Sequence, residues 1–333
     1  MRERGEFERI RDLLAALPAG AGRSVVIGPG DDAAVLRPED GRDLVVTTDT
    51  FVEGRHFRRD LLDAAAAGRR LAAANLSDVA AMGARARWAL VSCVAPRAVD
   101  PAWLHDVELA CAHALAAEGA AVVGGNLSEA EGPCAFSVTL IGDVTRGAAW
   151  TRAGARAGDV LATTGALGHA GAALALALAA SPPSFAPVPD WLAKRYLAPP
   201  SRIAAAAALA RTGAVRACID VSDGLAGDLG HLCEASGVGA LLFEDGATAD
   251  PALEQAARTL GVSVDALRFG PSDDYELLLA LDPARWAECR AAAESAGARL
   301  TPIGQVIEER VLVLQREDGS REPVRGTGWS HFA

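Results

Sequence analysis

Five short acidic clusters constrain the fold of this chain more than any other feature of its sequence. In chain order they are residues 28–32 (Gly-Pro-Gly-Asp-Asp), 47–50 (Thr-Thr-Asp-Thr), 75–78 (Asn-Leu-Ser-Asp), 220–224 (Asp-Val-Ser-Asp-Gly) and 273–276 (Asp-Asp-Tyr-Glu). One such cluster is typical of an ordinary turn or helix cap, because Asp and Gly favour both. Most of the five adjoin an apolar run, and neighbouring carboxylates repel each other unless cations compensate them. The pattern therefore predicts strands and helices that bring carboxylates to bound cations.

The apolar runs predict an α/β protein of the α+β type, with mixed sheets flanked by helices. The first half is predicted to hold helices at 7–17, 63–82 and 101–118 and strands at 25–27, 33–36, 44–48, 88–94, 121–123 and 136–141. The second half is predicted to hold strands at 159–163, 217–221, 240–243, 276–281 and 311–314, helices at 223–236 and 283–296, and two alanine-rich helices between its first two strands. A chain of 333 residues is long enough for two domains, and we place them at 1–150 and 151–333.

Lysine usage excludes two common ways of binding ATP. Lys194 is the only lysine among 32 lysine and arginine residues, and it lies away from any glycine-rich loop. A P-loop needs a Gly-Lys-Ser/Thr sequence, and a protein kinase needs a strand lysine on the nucleotide phosphates. Any ATP chemistry in this chain must therefore hold the phosphates through metal ions, arginine and backbone N–H groups.

Charge and cysteine usage narrow the functional class. A formal net charge of −11 argues against a general nucleic-acid binder and against docking on an anionic membrane. The six cysteines form no Cys-x-x-Cys pair and lie in apolar runs, and the N-terminal segment lacks the apolar core of a signal peptide. These features predict a reduced, cytoplasmic protein.

Asp78 is the strongest single candidate for a metal ligand. On a helix it shares a face with Leu71, Asn75 and Met82, which is the face with the bulkiest apolar side chains of the segment. A partly buried carboxylate there needs a cation, either an arginine or a metal ion, and we favour the metal. The available ligands are hard oxygen atoms, and the chain has no HExxH or Cys/His set. They indicate several Mg²⁺ ions around a polyphosphate rather than zinc.

Five further features carry weaker signals. Arg152 is interpreted as a phosphate contact or a surface arginine, and residues 124–126 (Gly-Gly-Asn) as a ligand approach or a tight turn after a strand. The glycine-bearing turn 165–171 opens a helix whose N–H groups are predicted to suit an anion. His56 is polar surface or part of a site, and Trp329 is a stacking partner for an aromatic substrate ring or a packing anchor.

The motifs resemble those of the thiamine-monophosphate kinases, which belong to the aminoimidazole-ribotide synthetase-like superfamily. The resemblance lies in residues 28–32, 47–57, 75–84 and 220–225 and in the closing Gly-Trp-Ser-His-Phe at 328–332, so it covers essentially the whole chain. It implies a two-domain fold, a homodimer built through the N-terminal domains, and ATP bound with a cluster of magnesium ions. It also implies transfer of the ATP γ-phosphoryl group to thiamine monophosphate, which gives thiamine diphosphate and ADP.

The resemblance further implies roles for individual residues. The metal ligands would be Asp32, Thr47, Thr48, Asp49, Asp78, Asn126, Asp220 and Asp223. The ATP contacts would be Gly125, Asn126, Arg152 and Ser222, and the substrate contacts would be His56, Asp273 and Trp329. The domain 1–150 would bind metal and ATP and form the dimer, and the domain 151–333 would complete the active site.

Two positions depart from the family pattern. Asn126 stands where the family usually has aspartate, which removes one negative charge from a metal ligand. Asp273 stands where the family usually has glutamate, and its side chain is one methylene shorter. The first change predicts weaker binding of one metal ion, and the second a weaker substrate contact.

The alternatives are another enzyme of the superfamily, with aminoimidazole-ribotide synthetase the nearest, or a non-catalytic nucleotide-binding relative. Selenophosphate synthetase is disfavoured because its reactive N-terminal cysteine and lysine have no match here. The hydrogenase-maturation relative is disfavoured because the chain ends in His-Phe-Ala rather than in cysteine. For the kinase we predict direct in-line transfer without a catalytic base, because a phosphate acceptor is already anionic near neutral pH.

Overall fold

The computed structural model of the chain describes residues 12–13, 15–17, 24–27, 33–244 and 251–324. It divides into two compact units, which we describe separately. The first comprises Met1–Val79 and Ala84–Ala148, and the second comprises Ala80–Gly83 and Ala149–Ala333. The chain passes from the first unit to the second after Ala148, two residues before the end of the predicted first domain.

The first unit is built on a four-stranded mixed sheet with the strand order β3-β6-β4-β5, and a two-stranded hairpin, β1-β2, lies beside it. Its elements are β1 (Val25–Ile27), β2 (Val35–Leu36), β3 (Arg42–Val52), α1 (Ala64–Ala81), β4 (Arg85–Ala95), α2 (Pro101–Ala117), β5 (Ala121–Glu129) and β6 (Ala135–Thr145). The parallel pair β4 and β5 is joined by α2, as a parallel connection requires.

Helix α2 begins where the local sequence directs it. Asp100 is the N-cap and accepts the N–H of Ala102, and Pro101 occupies the first turn, where its missing N–H costs nothing. Helix α1 packs closely on α2 at Gly68, because a Cβ there would lie 2.3 Å from the carbonyl oxygen of Val107. A larger residue at position 68 would separate the two helices.

Two strands of this unit are longer than predicted, and both carry candidate site residues. Strand β3 runs through Val52 because all its residues pair with β6, so residues 47–49 lie inside the strand rather than at its end. Strand β5 includes residues 124–126, which the sequence predicted to follow the strand as a ligand approach or a tight turn. A β-bulge at Val123, opposite Ala89 and Leu90, precedes these residues, which then pair with β4. A Cβ at Gly125 would lie 2.0 Å from the Val91 carbonyl oxygen.

The second unit contains a seven-stranded sheet with the order β13-β12-β9-β11-β7-β10-β8, which is antiparallel except for the pair β12 and β9. Its elements are β7 (Val160–Thr163), α3 (His169–Ala179), α4 (Asp190–Leu197), α5 (Ile203–Ala210), β8 (Val215–Val221), α6 (Leu225–Ser236), β9 (Gly239–Phe243), α7 (Pro251–Leu260), α8 (Val264–Phe269), β10 (Glu276–Leu281), α9 (Trp286–Ser295), β11 (Thr301–Ile307), β12 (Leu312–Gln315) and β13 (Arg321–Pro323). All six residues of β10 are buried, which explains its continuous apolar sequence.

Several elements of the second unit were not predicted. Strand β11 carries Pro302 and Gly304, which weaken a strand pattern, and a bulge between them restores the pairing. Helices α7 and α8 and strand β13 were also missed, and the two predicted alanine-rich helices are three, α3 to α5. The prediction of mixed sheets flanked by helices is confirmed for both units.

All six cysteines are buried, unpaired thiols, as small core residues would be. Each helix in the described ranges is too short or too polar to pass through a lipid bilayer.

Candidate active site

Two predicted ligands of the first unit meet although 31 residues separate them in sequence. The hydroxyl of Thr47 on β3 donates a hydrogen bond to Oδ2 of Asp78 on α1. Asp78 is half-buried, as its place on the apolar helix face predicted. Asp49 follows Thr47 by two residues on a regular strand and therefore lies on the same face of the sheet. The sheet and the helix thus bring hydroxyl and carboxylate oxygens together.

Asn75 lies one turn before Asp78 on α1 and is fully buried. Its Nδ2 donates to the carbonyl oxygen of Leu71 at 3.1 Å. Its Oδ1 is buried and has no hydrogen-bond partner among the described residues. A buried acceptor without a donor is uncommon, and a cation or its bound water would satisfy it. The donor set on this face therefore fits a hard divalent cation.

Thr48 does not share this face. Its hydroxyl donates to the carbonyl oxygen of Val138 and accepts from Thr139, both at 3.1 Å, on the opposite and exposed side of the sheet. Asn126 on β5 is also exposed, and its amide donates to the hydroxyl of Ser128 at 2.8 Å. The side chain of Thr48 is therefore separated from those of Thr47 and Asp49 by the sheet itself.

His56 lies in a tight loop that follows β3. Gly54 turns this loop with φ of 79°, and Nδ1 of His56 accepts the N–H of Val52 at 3.0 Å. The imidazole ring stacks on Phe51 with 5.5 Å between ring centroids. Because Nδ1 accepts, a neutral imidazole carries its proton on Nε2, which is then a hydrogen-bond donor.

In the second unit, Asp220 and Asp223 lie where β8 ends and α6 begins. Asp220 is 4 % exposed, near the end of the strand, whereas Ser222 and Asp223 are half-buried in the turn. The turn is held by Asp228, whose Oδ2 accepts the N–H groups of residues 222, 223 and 224, each at 3.1 Å. Burial raises the pKa of Asp228 to about 6, against the lowering effect of these bonds. Asp228 was not predicted.

A second loop lies against this turn. Gly224 has φ of 111°, and a Cβ there would lie 2.1 Å from the carbonyl oxygen of Gly270. The N–H of Tyr275 donates to the carbonyl oxygen of Val221 at 2.9 Å, and Tyr275 itself has φ of 53°. These contacts place the backbone that carries Asp273 next to the end of β8, and Asp273 is half-buried.

The glycine-bearing turn before α3 was predicted to suit an anion, and its donors are occupied by the protein's own side chains. Asp274 accepts the N–H of Gly168 at 2.6 Å and that of Ala170 at 2.9 Å, and the Ser272 hydroxyl accepts from Gly171 at 2.9 Å. Burial raises the pKa of Asp274 to about 7. This helix N-terminus is therefore a structural joint rather than a free phosphate site.

Glu276 is the last acid of the same run and also points inward, at 1 % exposure. Its carboxylate binds the Arg202 guanidinium through two hydrogen bonds of 2.5 Å and accepts from the Thr164 hydroxyl at 2.7 Å. It also lies where a Cβ at Gly165 would stand. Of the acidic run 273–276, Asp274 and Glu276 are therefore buried in contacts that hold the fold, whereas Asp273 is half-buried.

Arg152 is exposed, and its carbonyl oxygen accepts the hydroxyl of Ser236 at 2.8 Å. Asp32 and Trp329 lie outside the described residues. Within the described ranges, no three His, Cys, Asp or Glu side chains form a group able to hold a metal ion. An ion bound by either group of residues would therefore keep other ligands, as Mg²⁺ does with water and phosphate.

Comparison with known proteins identifies the class. Residues 30–144 match the model of the AIR synthase related protein N-terminal domain, and residues 156–317 match that of the C-terminal domain. The chain belongs to the AIR synthase related family. The predicted fold class and superfamily are confirmed.

Individual relatives narrow the family to the thiamine-monophosphate kinases. The thiamine-monophosphate kinase of Mycobacterium tuberculosis is 37 % identical over 100 % of this chain and 93 % of its own length. The crystal structure of thiamine-monophosphate kinase from Stenotrophomonas maltophilia has a TM-score of 0.79 at 31 % identity, covering 96 % of this chain and 98 % of its own. The structure of AaThiL complexed with AMPPCP and TMP has a TM-score of 0.76 at 30 % identity, covering 100 % and 98 %.

Proposed function

We propose that this chain transfers the γ-phosphoryl group of ATP to thiamine monophosphate and forms thiamine diphosphate and ADP. One observation carries the proposal. A relative that is 30 % identical over the whole chain has been solved in complex with AMPPCP and TMP. AMPPCP is an ATP analogue, so that structure contains an analogue of the proposed donor together with the proposed acceptor.

The metal proposed is Mg²⁺, held by Thr47, Asp49 and Asp78 in the first unit and by Asp220 and Asp223 in the second. Two observations support a metal ion in the first unit: the hydrogen bond from Thr47 to Asp78, and the buried Oδ1 of Asn75 that accepts no hydrogen bond from the described residues. Bound Mg²⁺ would neutralise the phosphate charge and align donor with acceptor. We include Asp32, Thr48 and Asn126 in the ligand set on the resemblance alone. Thr48 would have to act from the other face of the sheet or through its backbone.

The chain's own residues would bind and orient the two substrates. The Arg152 side chain is exposed, and a guanidinium is well suited to bind a nucleotide phosphate. Gly125, Asn126 and Ser222 complete the proposed ATP contacts. His56 would donate from Nε2, and Asp273 and Trp329 would meet the thiamine moiety. No side chain is needed as a base, since the acceptor oxygen is already anionic.

We also propose a homodimer that forms through the first unit. Strand β3 is an edge strand, and the open face of the sheet exposes Leu44, Val46 and Leu90, at 50, 62 and 38 %. An apolar patch on a sheet face favours association with a second copy. The six buried, unpaired thiols support a reduced compartment, which we propose to be the cytoplasm.

The proposal is tested by incubating the purified protein with ATP, Mg²⁺ and thiamine monophosphate and measuring thiamine diphosphate and ADP in equal amounts. Thiamine and aminoimidazole-ribotide precursors serve as alternative substrates. Bound ATP without thiamine diphosphate would overturn the kinase assignment and favour a non-catalytic nucleotide-binding relative.

A further inference from the structure

The turn between β8 and α6 presents its backbone donors to the protein interior. Asp228, in the first turn of α6, is 3 % exposed. One of its oxygen atoms accepts three successive N–H groups, those of Ser222, Asp223 and Gly224. Successive N–H groups that converge in this way form a concavity that binds anions. Here the anion is the protein's own carboxylate.

The start of α3 follows the same rule, because Asp274 accepts the N–H groups of Gly168 and Ala170. Two backbone sites of the second unit that would suit a phosphate are thus filled from within. The chain also contains a single lysine. A phosphate near these loops must therefore be bound by side chains and by the metal ions that those side chains hold.

We propose that Asp228 is a positioning residue for phosphoryl transfer. By fixing the backbone of residues 222–224 it sets the directions of the Ser222 hydroxyl and the Asp223 carboxylate toward Mg²⁺ and ATP. This inference rests on the proposed function, which makes Asp223 a metal ligand and Ser222 an ATP contact. Groups that orient metal ligands from behind typically alter metal affinity or activity by about 10–100-fold when removed.

The geometry leaves little room for the turn to compensate. Gly224 is pressed against the carbonyl oxygen of Gly270, and the N–H of Tyr275 is bonded to Val221. Loss of the Asp228 acceptor leaves three donors to find other partners, two of them on the residues proposed to bind ligands. A purely structural role predicts a different result, namely lower stability with unchanged metal affinity in the protein that remains folded.

The test compares Asp228→Ala, which removes the acceptor, with Asp228→Asn, whose amide oxygen can still accept the three N–H groups. Asp159→Ala is the matched control. Asp159 is fully buried and accepts the N–H of Arg156 at 2.8 Å, but its partner Arg216 lies at the start of β8, away from Asp220. For each protein we would measure the Kd of Mn²⁺ in the presence of AMPPCP by calorimetry, the Mg²⁺ dependence of turnover and the thermal midpoint.

We expect Asp228→Ala to raise the Kd of Mn²⁺ by about tenfold or more, and Asp228→Asn to recover most of the wild-type affinity. Asp159→Ala should lower the thermal midpoint and leave the Kd unchanged. If Asp228→Ala does not fold, Asp228→Ser, which is too short to reach all three donors, carries the same expectation.

An unchanged Kd in folded Asp228→Ala or Asp228→Ser would overturn the inference. It would equally be overturned if Asp228→Asn bound Mn²⁺ as weakly as Asp228→Ala, because charge rather than hydrogen-bond geometry would then matter. If the wild-type protein formed no thiamine diphosphate while the Asp228 variants showed the expected shifts in Kd, the proposed acceptor would be refuted and the role of Asp228 in metal binding would stand.

Discussion

The two units hold their candidate ligands in different ways. In the first unit Thr47, Asp49 and Asp78 lie within a strand and a helix, so regular backbone hydrogen bonds fix their positions. In the second unit Ser222, Asp223 and Asp273 lie in loops beside strand ends. There, buried carboxylates bind the backbone donors of Asp223 and of the turn before α3.

A site in loops needs a second set of residues that a site on regular elements does not. A strand positions its side chains by pairing with its neighbours, whereas a turn must be fixed by contacts of its own. Substitutions at the first unit's ligands should therefore affect chemistry alone. Substitutions around the second unit's ligands should affect chemistry and stability together.

The largest effect is expected for Asp78→Asn in the first unit. The amide keeps the shape of the side chain and its contact with Thr47 but removes the charge, so we expect kcat/KM to fall about 10²–10³-fold, as for loss of one strong electrostatic contact. Circular dichroism should show the fold intact. The matched control is Asp63→Asn at the start of the same helix, where Asp63 caps the N–H of Ala66. Wild-type turnover in Asp78→Asn would show that Asp78 binds no metal.

The next largest effect is expected in the free energy of unfolding, when one glycine in each unit is replaced by alanine. Gly224→Ala adds a Cβ at 2.1 Å from a carbonyl oxygen at φ of 111°, so we expect a loss of about 2–5 kcal/mol in the free energy of unfolding. Gly54→Ala, at φ of 79° with open space around it, should cost only about 1 kcal/mol. Urea denaturation measures both values. Equal losses would contradict the view that the second unit's turn is the more tightly constrained.

A smaller, pH-dependent effect is expected for Glu108 on α2. Burial raises its pKa from 4.5 to about 7, so between these values the folded protein holds a proton that the unfolded chain has released. This group therefore lowers stability as pH rises through that window, by up to about 1.4 kcal/mol per pH unit.

Glu108→Gln should remove that dependence. The variant should gain about 1–3 kcal/mol relative to wild type between pH 5 and pH 8, measured by urea denaturation at both values. The hydrogen bonds from backbone N–H groups offset the cost of burying the Asp228 carboxylate. We expect Glu108, in contrast, to be unnecessary for stability at pH 8. A variant whose stability relative to wild type is the same at pH 5 and pH 8 would contradict this.

The smallest effect is expected for Asn126→Asp, which introduces the carboxylate that the family usually has. Asn126 is exposed on β5, so the new charge is well solvated, and the Mg²⁺ concentration for half-maximal turnover should fall by about two- to fivefold. Asn126→Ser serves as the control without the new charge. A rise in the Mg²⁺ requirement of Asn126→Asp would place this residue outside the metal site.

Much of the fold was predictable because its signals are local. The buried strand β10 is a continuous apolar run, α2 has its Asp-Pro start, and Asp78 sits on an apolar helix face. The errors came where pairing overrode local signals. Residues 124–126 resemble a turn, but they continue β5 after a bulge at Val123 and pair with β4. Strand β11 forms despite Pro302 because its neighbours β7 and β9 both pair with it.

The residue types in the sequence already predict how this protein would bind phosphate. One lysine and five acidic clusters restrict phosphate binding to metal ions, arginine and backbone donors, and the motifs identify the family. The different surroundings of neighbouring acids are visible only in the tertiary structure. Asp273 and Asp274 are neighbours with the same side chain, yet Asp274 is buried against the start of α3 and Asp273 is not. The physical reason is that burial and hydrogen-bond partners depend on residues about a hundred positions away, which no local pattern encodes.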